Sequence, residues 1–291
     1  GDRVHIGHTG QVLRLIVDPA GHQVATASMD QTVRLWDSTT GEEKQVLVGH
    51  VNAIRAIAVN PQGTQIASGS HDNSVRLWNA QTGATEGILL RRDSVTWDLA
   101  YSLDGGYLAD GGMDKKVRLY SLDGTNTERV FFQHTAEITS VAFSRHGQIA
   151  IGATDNTITL LDVATGKHVA TLVGHQGVVR KTTFDPSGKH LVSAGEDGRV
   201  LLWNLKTGKP LREWKMPGRL YGVAIDPDGT RLASAGSDGV PRVWKISNDN
   251  QFTELRGHQG EVNDVGFSPD GKLIATSGDD GTLRMWDAGN G

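Results

Sequence analysis

Short apolar runs separated by turn residues recur along the whole chain. The stretch from Gly257 to Asp287 shows the pattern in full: an apolar run ending at Phe267, a Ser-Pro-Asp-Gly turn, a run around Ile274, an Asp-Asp-Gly turn, and a run ending at Trp286. No apolar stripe at helical spacing is longer than a strand, and short runs bounded by Pro, Asp and Gly are typical of hairpins. In the first turn, Pro presets a type I turn and the last Gly can adopt a positive φ. The pattern therefore predicts three strands joined by two tight turns.

This unit fits the chain seven times. A Gly-His pair, or its equivalent, begins at residues 7, 49, 91, 133, 174, 215 and 257, a step of 41 or 42 residues. A third strand ending in Trp-Asp or its equivalent, and a fourth strand before the next Gly-His, follow in the same register. A turn aspartate also keeps this step: Asp30, Asp72, Asp114, Asp155, Asp197, Asp238 and Asp280. A period of about 40 to 45 residues with Gly-His and Trp-Asp marks is the signature of WD40 propellers.

On these motifs the sequence resembles the WD40-repeat family over essentially its whole length. The resemblance implies an all-β fold, a seven-bladed β-propeller of four-stranded antiparallel blades, as a single domain over residues 1–291. The last unit has no fourth strand after Asp287, whereas the chain begins with an extra strand at residues 3–6. The resemblance implies that this N-terminal strand completes the last blade and closes the ring, which also removes an exposed sheet edge. The uniform sequences of the repeats resemble those of bacterial WD40 domains.

The charge of the chain argues against nucleic acid as its main partner. A formal charge of -4, from 29 basic and 33 acidic residues, provides no basic field for phosphates. The absence of cysteine excludes disulfides and thiolate chemistry. We find no signal peptide and no apolar stretch long enough to span a membrane. We therefore expect a soluble, cytoplasmic and monomeric domain that has been excised from a larger chain.

Four units hold a His, a Ser or Thr, an Asp and a Trp at fixed offsets. A catalytic triad stands once in a chain with its own oxyanion donors, whereas this set recurs and Thr replaces Ser freely. In the WD40 family the same positions form a structural hydrogen-bond chain, which the donors and acceptors of these side chains permit. We interpret these tetrads as scaffold: His8, Thr26, Asp30, Trp36; His50, Ser68, Asp72, Trp78; His175, Ser193, Asp197, Trp203; and His258, Thr276, Asp280, Trp286.

The spacing of the histidines argues against a metal site. They fall in different repeats, with no paired ligands at short spacing. The two carboxylates of the Asp226-Pro-Asp-Gly turn lack the further oxygens of a calcium loop. We therefore predict no metal, no catalytic residue and no cofactor.

Three units depart from the tetrad. The replacements are Arg92, Asp110 and Tyr120 for His, Ser and Trp in unit 3; Ile151 and Leu161 for Ser and Trp in unit 4; and Met216 for His in unit 6. A lone buried carboxylate is costly, so we hypothesise that Arg92 pairs with Asp110, Asp114 or both. We expect the blades formed by these three units to be softer than the others.

Specificity is expected on the rim of the propeller. In WD40 relatives the common ligand face is ringed by the loops entering the first strands and by the second turns. An arginine there can clamp a carboxylate or phosphate of a peptide. Alternatively, the rim aromatics plug the channel and the rim arginines pair with Glu137, Glu196 or Glu261. The candidate partner-binding set, rich in residue types of binding hot spots, is Arg55, Trp97, Arg180, Arg219, Tyr221, Met29, His71 and Met113.

The leading functional hypothesis is a non-enzymatic scaffold that binds a protein or peptide, as one module of a larger regulatory protein. The resemblance implies this partner class, because a fold alone does not name an activity. One alternative is a propeller hydrolase or lyase with its site at the channel mouth. That alternative requires a singular acidic or metal-binding cluster, and the repeat explains every such residue. Another alternative is a sensor that binds a small anionic ligand through Arg55, Arg180 and Arg219.

Overall fold

The computed structural model describes residues 3–125 and 127–289, and of residues 90, 91 and 248–250 it describes the backbone. Over these residues the chain forms 28 β-strands. In chain order they are β1 (Arg3–Ile6), β2 (Val12–Val17), β3 (Gln23–Ser28), β4 (Thr32–Asp37), β5 (Glu43–Val48), β6 (Ile54–Val59), β7 (Gln65–Ser70), β8 (Ser74–Asn79), β9 (Thr85–Arg91), β10 (Thr96–Tyr101), β11 (Tyr107–Gly112), β12 (Lys116–Ser121), β13 (Glu128–Gln133), β14 (Ile138–Phe143), β15 (Gln148–Ala153), β16 (Thr157–Asp162), β17 (His168–Val173), β18 (Val179–Phe184), β19 (His190–Gly195), β20 (Arg199–Asn204), β21 (Lys209–Lys215), β22 (Leu220–Ile225), β23 (Arg231–Gly236), β24 (Arg242–Lys245), β25 (Asn248–Glu254), β26 (Val262–Phe267), β27 (Leu273–Gly278) and β28 (Thr282–Asp287).

The strands form seven antiparallel sheets of four strands each. Six sheets take four consecutive strands in hairpin order, from β2-β3-β4-β5 to β22-β23-β24-β25. The first strand of each sheet contacts the first strands of the sheets before and after it, and β26 contacts β2. These contacts close into a ring around a central channel. The predicted seven-bladed propeller is therefore confirmed.

The seventh blade combines the two ends of the chain. Its strand order is β1-β28-β27-β26, and β1 runs antiparallel to β28 from Arg3 opposite Met285 to Ile6 opposite Thr282. His5 is buried, and its ring lies 6.0 Å from the ring of Trp36 in the first blade. The predicted closure by the N-terminal strand is confirmed.

The hydrophobic core lies between neighbouring blades. Val33 and Leu35 of the first blade share one cluster with Ile54, Ile57 and Ile66 of the second. Because a blade is covered on both faces, its second strand is buried from the second residue to the last, as in β3 and β27. This burial explains why the second strands read as continuous apolar and small residues rather than as an alternating pattern.

The two kinds of turn lie on opposite faces of the ring. The first turn of the last repeat closes with the Gly271 N–H donating to the Ser268 carbonyl at 2.8 Å, and Gly271 has the expected positive φ, 68°. The second turns, and the loops that enter the first strands, lie at the other ends of the same strands. We call the face that carries them the upper face.

Candidate functional site

A buried hydrogen-bond chain joins the four tetrad residues of the second blade. Trp78 Nε1 donates to Ser68 Oγ at 2.8 Å, and Ser68 Oγ lies 2.7 Å from His50 Nε2. On its other side, His50 Nδ1 lies 2.7 Å from Asp72 Oδ2. Since Nδ1 faces a carboxylate, it carries the proton, and Nε2 then accepts from the serine hydroxyl. Every polar side-chain atom of this hydrogen-bond chain therefore has a partner within the second blade.

The same chain is present in three other blades. The order is always Trp to Ser or Thr, then to His, then to Asp. The three successive distances are 2.8, 2.7 and 2.7 Å for Trp36, Thr26, His8 and Asp30; 2.8, 2.7 and 3.0 Å for Trp203, Ser193, His175 and Asp197; and 2.9, 2.8 and 3.0 Å for Trp286, Thr276, His258 and Asp280.

The electrostatics of the tetrad in the second blade favour a neutral imidazole beside an ionised carboxylate. Burial lowers the pKa of His50, and the hydrogen bond that His50 donates to Asp72 opposes this shift only in part. Burial opposes ionisation of Asp72 as well, but hydrogen bonds from Ser74 and His50 outweigh it and lower its pKa to about 2. The Ser68 hydroxyl is wholly buried and bonded on both sides, so no substrate can reach it without opening the blade.

In the third blade an arginine cluster stands where the tetrad is missing. Arg92 lies 3.3 Å from Asp110 and donates to the Tyr120 hydroxyl, which in turn donates to Asp110 at 2.9 Å. Asp114 pairs instead with Arg118 of β12. Of the two pairings in the hypothesis, the one with Asp110 is therefore present, and Asp114 takes another partner.

The charges of this cluster do not balance. Two guanidinium groups, of Arg92 and Arg118, serve three carboxylates, of Asp110, Asp114 and Glu128. Asp110 is the most deeply buried of the three carboxylates, and burial raises its pKa to about 7 against the pull of both arginines. The third blade therefore holds a carboxyl group that titrates near neutral pH.

The sixth blade uses an arginine at the same strand position as Arg118. Arg242 Nη1 donates to Asp238 at 2.6 Å, and Arg242 Nη2 donates to Glu254 at 3.1 Å. Met216 occupies the His position, and Trp244 Nε1 is buried without a partner among the described residues. This role of Arg242 was not identified from the sequence. The available signal was the lack of His in the same repeat, which frees the turn aspartate.

The fourth blade keeps only a weak remnant of the tetrad. His134 Nδ1 accepts a hydrogen bond from the Ala136 N–H at 2.9 Å, and its Nε2 lies 3.9 Å from Asp155. Ile151 and Leu161 fill the Ser and Trp positions with buried apolar side chains. The imidazole is therefore held by its own loop rather than by the blade.

Each first strand carries a β-bulge at the same place. In β10, Thr96 pairs with Gly112 and Asp98 with Gly111, so Trp97 falls outside the ladder. A bulge of this kind bends the strand and re-aims the side chain of the extra residue. The seven bulged residues are Leu13, Arg55, Trp97, Thr139, Arg180, Tyr221 and Asn263.

Six of the seven bulged residues line one cavity of about 380 Å³ at the mouth of the channel on the upper face. The exception is Thr139, which is buried and donates to the Val179 carbonyl. Other residues complete the lining, and Arg14 is the one that sequence reasoning missed altogether. These further residues are Gln11, Arg14, Glu261 and Asp279. We call this cavity the channel mouth.

The structure brings together only half of the predicted rim set. Arg55, Trp97, Arg180 and Tyr221 line the channel mouth. The other four lie outside the lining: Arg219 is exposed, Met29 and Met113 are 45% and 43% exposed, and His71 lies behind the lining against Arg55.

Arg55 forms a compact cluster with two aromatic rings. Its Nε lies 3.1 Å from His71 Nε2, and its guanidinium lies 5.4 Å from the centroid of the Trp97 ring. His71 meets Trp97 edge to face at 5.9 Å. Burial lowers the pKa of Arg55, and the charges of Arg14 and Arg180 lower it further. The cluster thus holds a guanidinium in surroundings that disfavour its charge.

Three further residues of the channel mouth, Arg180, Asn263 and Tyr221, are paired with acidic side chains. Arg180 Nε donates to Glu196 Oε1 at 2.7 Å, and Asn263 Nδ2 donates to Asp279 Oδ1 at 2.9 Å. Burial, with a hydrogen bond to Glu261, raises the pKa of Tyr221 to about 12. The alternative in which rim arginines pair with rim glutamates therefore holds for Arg180. Among the described residues it does not hold for Arg55.

Within residues 3–125 and 127–289 no cluster of three or more His, Cys, Asp or Glu side chains has the geometry to hold a metal ion. Over the same ranges no helix is long and apolar enough to cross a membrane.

Comparison with known proteins identifies the repeat. A family model described as the WD domain, G-beta repeat, matches residues 1–37, 41–79, 90–121, 125–162, 166–204, 208–245 and 249–287. The chain belongs to the WD40-repeat family. The seven matched segments are the seven repeats predicted from the sequence.

Individual WD40 relatives match shorter stretches. Eukaryotic translation initiation factor 3 subunit I of Scheffersomyces stipitis is 32% identical over 92 residues, which cover 31% of this chain and 26% of that protein. WD repeat-containing protein 91 homolog of Dictyostelium discoideum is 32% identical over 87 residues, 29% of this chain and 11% of that protein. Nuclear distribution protein nudF 2 of Talaromyces marneffei is 46% identical over 57 residues, 20% of this chain and 12% of that protein.

These matches bear on two expectations. The matched stretches span at most about a quarter of each of the three relatives, so the likeness concerns the repeats rather than the whole proteins. The three relatives are from eukaryotes, and they give no support to the expectation of a bacterial domain.

Proposed function

We propose that this propeller is a non-enzymatic scaffold module of a larger regulatory protein and that it binds a protein or peptide at the channel mouth. The observation that carries the proposal is the convergence of the bulged residues. Six repeats each turn one side chain out of the ladder and into the same cavity. The β-bulge recurs in every repeat, with a different residue in nearly every case. It therefore builds a binding surface without altering the core.

The chemistry of the channel mouth fits a protein ligand. Trp, Tyr and Arg are the residue types that dominate binding hot spots, and Trp97, Tyr221, Arg55 and Arg180 meet here. The Trp97 side chain is half-buried, so part of it is open to a partner at the channel mouth. The tetrads, by contrast, are closed to solvent and fully bonded, which supports their assignment to the scaffold.

The relatives support the choice of a macromolecular partner. Two of them are named as a subunit of a translation initiation factor and as a nuclear distribution protein. Neither name describes an enzyme. By analogy we assign this chain a role in assembly, with no cofactor. A cytoplasmic location and a monomeric state belong to the same proposal, and imaging of a tagged chain and sedimentation of the purified chain test them.

Affinity capture with the intact parent protein tests the binding site. We expect a captured protein to be lost with the Trp97→Ala, Arg180→Ala double variant and retained with Leu103→Ala. Leu103 is 59% exposed in the first turn after β10, at the opposite end of the strand from Trp97. Unchanged melting temperatures show that both variants are folded. Loss in both variants, or in neither, would contradict binding at the channel mouth.

A further inference from the structure

Three arginines converge on the channel mouth, and they differ in how their charge is met. Arg180 is neutralised by Glu196. No carboxylate of the described residues lies within 4.0 Å of Arg14 or of Arg55, whereas Arg34, Arg92, Arg118, Arg199, Arg231, Arg242 and Arg256 all have one. Arg14 and Arg55 therefore share this cavity, and among the described residues neither has a carboxylate partner.

The nearest acids are engaged elsewhere. Asp264 lines a second cavity together with Arg14, and its two carboxylate oxygens accept backbone N–H groups of Leu15 and Val265 at 3.2 and 3.0 Å. Asp279 accepts from Asn263. Arg55 Nε donates to His71 Nε2, and no described side chain accepts a hydrogen bond from the terminal amino groups of Arg55. Arg14 Nε is buried and has no hydrogen-bond partner among the described residues. Donors from two adjacent blades are thus left over at one place.

We propose that the channel mouth is a carboxylate receptor, in which Arg14 and Arg55 hold an aspartate or glutamate side chain of the partner. The proposal rests on the proposed function and specifies the chemistry of the partner. Guanidinium groups present paired N–H donors that match a carboxylate, and charge-assisted bonds of this kind are about twice as strong as neutral ones. The Trp97 ring beside Arg55 offers a wall for the methylene groups of such a side chain.

The charge of the surroundings favours a carboxylate over a phosphate. Glu261 and Asp279 line the same cavity. A doubly charged phosphate would meet more repulsion from these two acids than a singly charged carboxylate. A cationic side chain would instead meet three guanidinium groups, of which only that of Arg180 is neutralised. The cavity of about 380 Å³ is also large enough for one side chain and too small for a folded element.

Titration with short peptides tests the proposal directly on the full chain. The probes are acetyl-Gly-Glu-Gly-amide, its Gln counterpart and its phosphoserine counterpart. The readout is the indole N–H resonance of Trp97, assigned by its loss in Trp97→Phe. We expect the Glu peptide to shift this resonance saturably, and the Gln peptide to bind at least about tenfold more weakly because it lacks the charge.

Two variants and one control localise the effect. Arg14→Gln and Arg55→Gln should each weaken binding of the Glu peptide about tenfold or more, while Arg129→Gln, on the outer strand β13, should leave it unchanged. Each variant is checked by its melting temperature. If one of the two arginine variants fails to fold, the proposal is still tested by the other variant and by the comparison of the peptides on the unaltered chain.

The possible outcomes separate this inference from the proposed function. Equal binding of the Glu and Gln peptides, tighter binding of the phosphoserine peptide, or unchanged binding in both arginine variants would each overturn the carboxylate receptor. Loss of a captured protein in the Trp97→Ala, Arg180→Ala variant, together with equal Glu and Gln affinities, would leave the proposed function standing and the inference wrong. If the chain binds the Glu peptide selectively while protein capture is unaffected by the Trp97→Ala, Arg180→Ala variant, the carboxylate receptor is supported and the proposed partner-binding site is contradicted.

Discussion

Removal of one hydroxyl from a tetrad gives the clearest test of its structural role. Ser68 is fully buried in the second blade, and its Oγ accepts from Trp78 and donates to His50. Trp78 and His50 are themselves only 1% and 4% exposed. In Ser68→Ala, the indole N–H and the imidazole Nε2 therefore both lose their partner, and water cannot replace it.

The expected loss follows from these two orphaned groups. A buried polar group left without a partner costs about 1 to 3 kcal/mol. Two such groups predict a fall in the free energy of unfolding of about 2 to 6 kcal/mol. For a chain of this size, a change of 1 kcal/mol lowers the melting temperature by about 2 °C or somewhat more. We therefore expect a decrease of about 5 to 10 °C, with no change in the circular dichroism of the folded state.

The sixth blade supplies a matched control. Ser234 occupies the same position and is 1% exposed, but Met216 replaces the His, and Trp244 Nε1 has no partner among the described residues. Ser234→Ala removes the same atom at the same depth without orphaning an indole or an imidazole. We expect it to cost less than about 1 kcal/mol.

Urea unfolding of the two variants beside the unaltered chain measures the difference. The network is supported if the loss in free energy of unfolding in Ser68→Ala is on the order of 2 kcal/mol or more and is at least 1.5 to 2 times the loss in Ser234→Ala. Equal losses would show that the hydroxyl matters only through its size. In that case the hydrogen-bond chain would be a geometric coincidence of the repeat, and the scaffold reading of the tetrads would have to be withdrawn.

Three further predictions concern closure and the third blade. Deletion of residues 1–7 removes β1, so the melting temperature should fall far more than in Ile6→Ser, whose side chain is 80% exposed; equal melting temperatures would contradict closure. In a double-mutant cycle, Arg92→Ala and Asp110→Ala should show a coupling of about 1 kcal/mol or more, and additive losses would refute the pairing. Because the pKa of Asp110 is raised from 3.8 to about 7, the folded chain keeps a proton that the unfolded chain releases. Its contribution to stability is complete below pH 3.8 and is lost as the pH rises to about 7, so the free energy of unfolding should fall between about pH 4 and 7 in the unaltered chain and stay flatter in Asp110→Asn; parallel profiles would count against the raised pKa.

The fold was predictable because its signals repeat. Turn residues such as Gly271 recur at one spacing, so even worn repeats fall into register. Closure was predictable because a missing strand after Asp287 matches an extra strand at residues 3–6. Because the same signals recur in every repeat, the ambiguity of any single short strand matters little. The assignment of the strands therefore did not depend on propensity alone.

The channel mouth was only partly predictable, for reasons that lie in local geometry. The bulge had a signal in the sequence: apolar residues flank it at a spacing of three rather than two, as with Ile54 and Ile57, or Val262 and Val265. Arg14, next to the bulge, gave none, because its side-chain direction depends on the bent strand. Rim residues such as Met29 belong to the second turns, and offsets alone cannot tell whether such a turn leans toward the channel.

The bulge also explains how one scaffold can carry many specificities. The residues that flank it pair in the ladder and pack in the core, so their size and polarity are constrained. In six of the seven blades the bulged residue stands outside the ladder and faces the channel mouth, and Thr139 is the exception. Leucine, arginine, tryptophan, threonine, tyrosine and asparagine all occur at this position in a single chain. A substitution such as Arg55→Gln should therefore change what the channel mouth binds while leaving the blade intact, whereas the same change two positions away, at Ile57, would place an amide in the core.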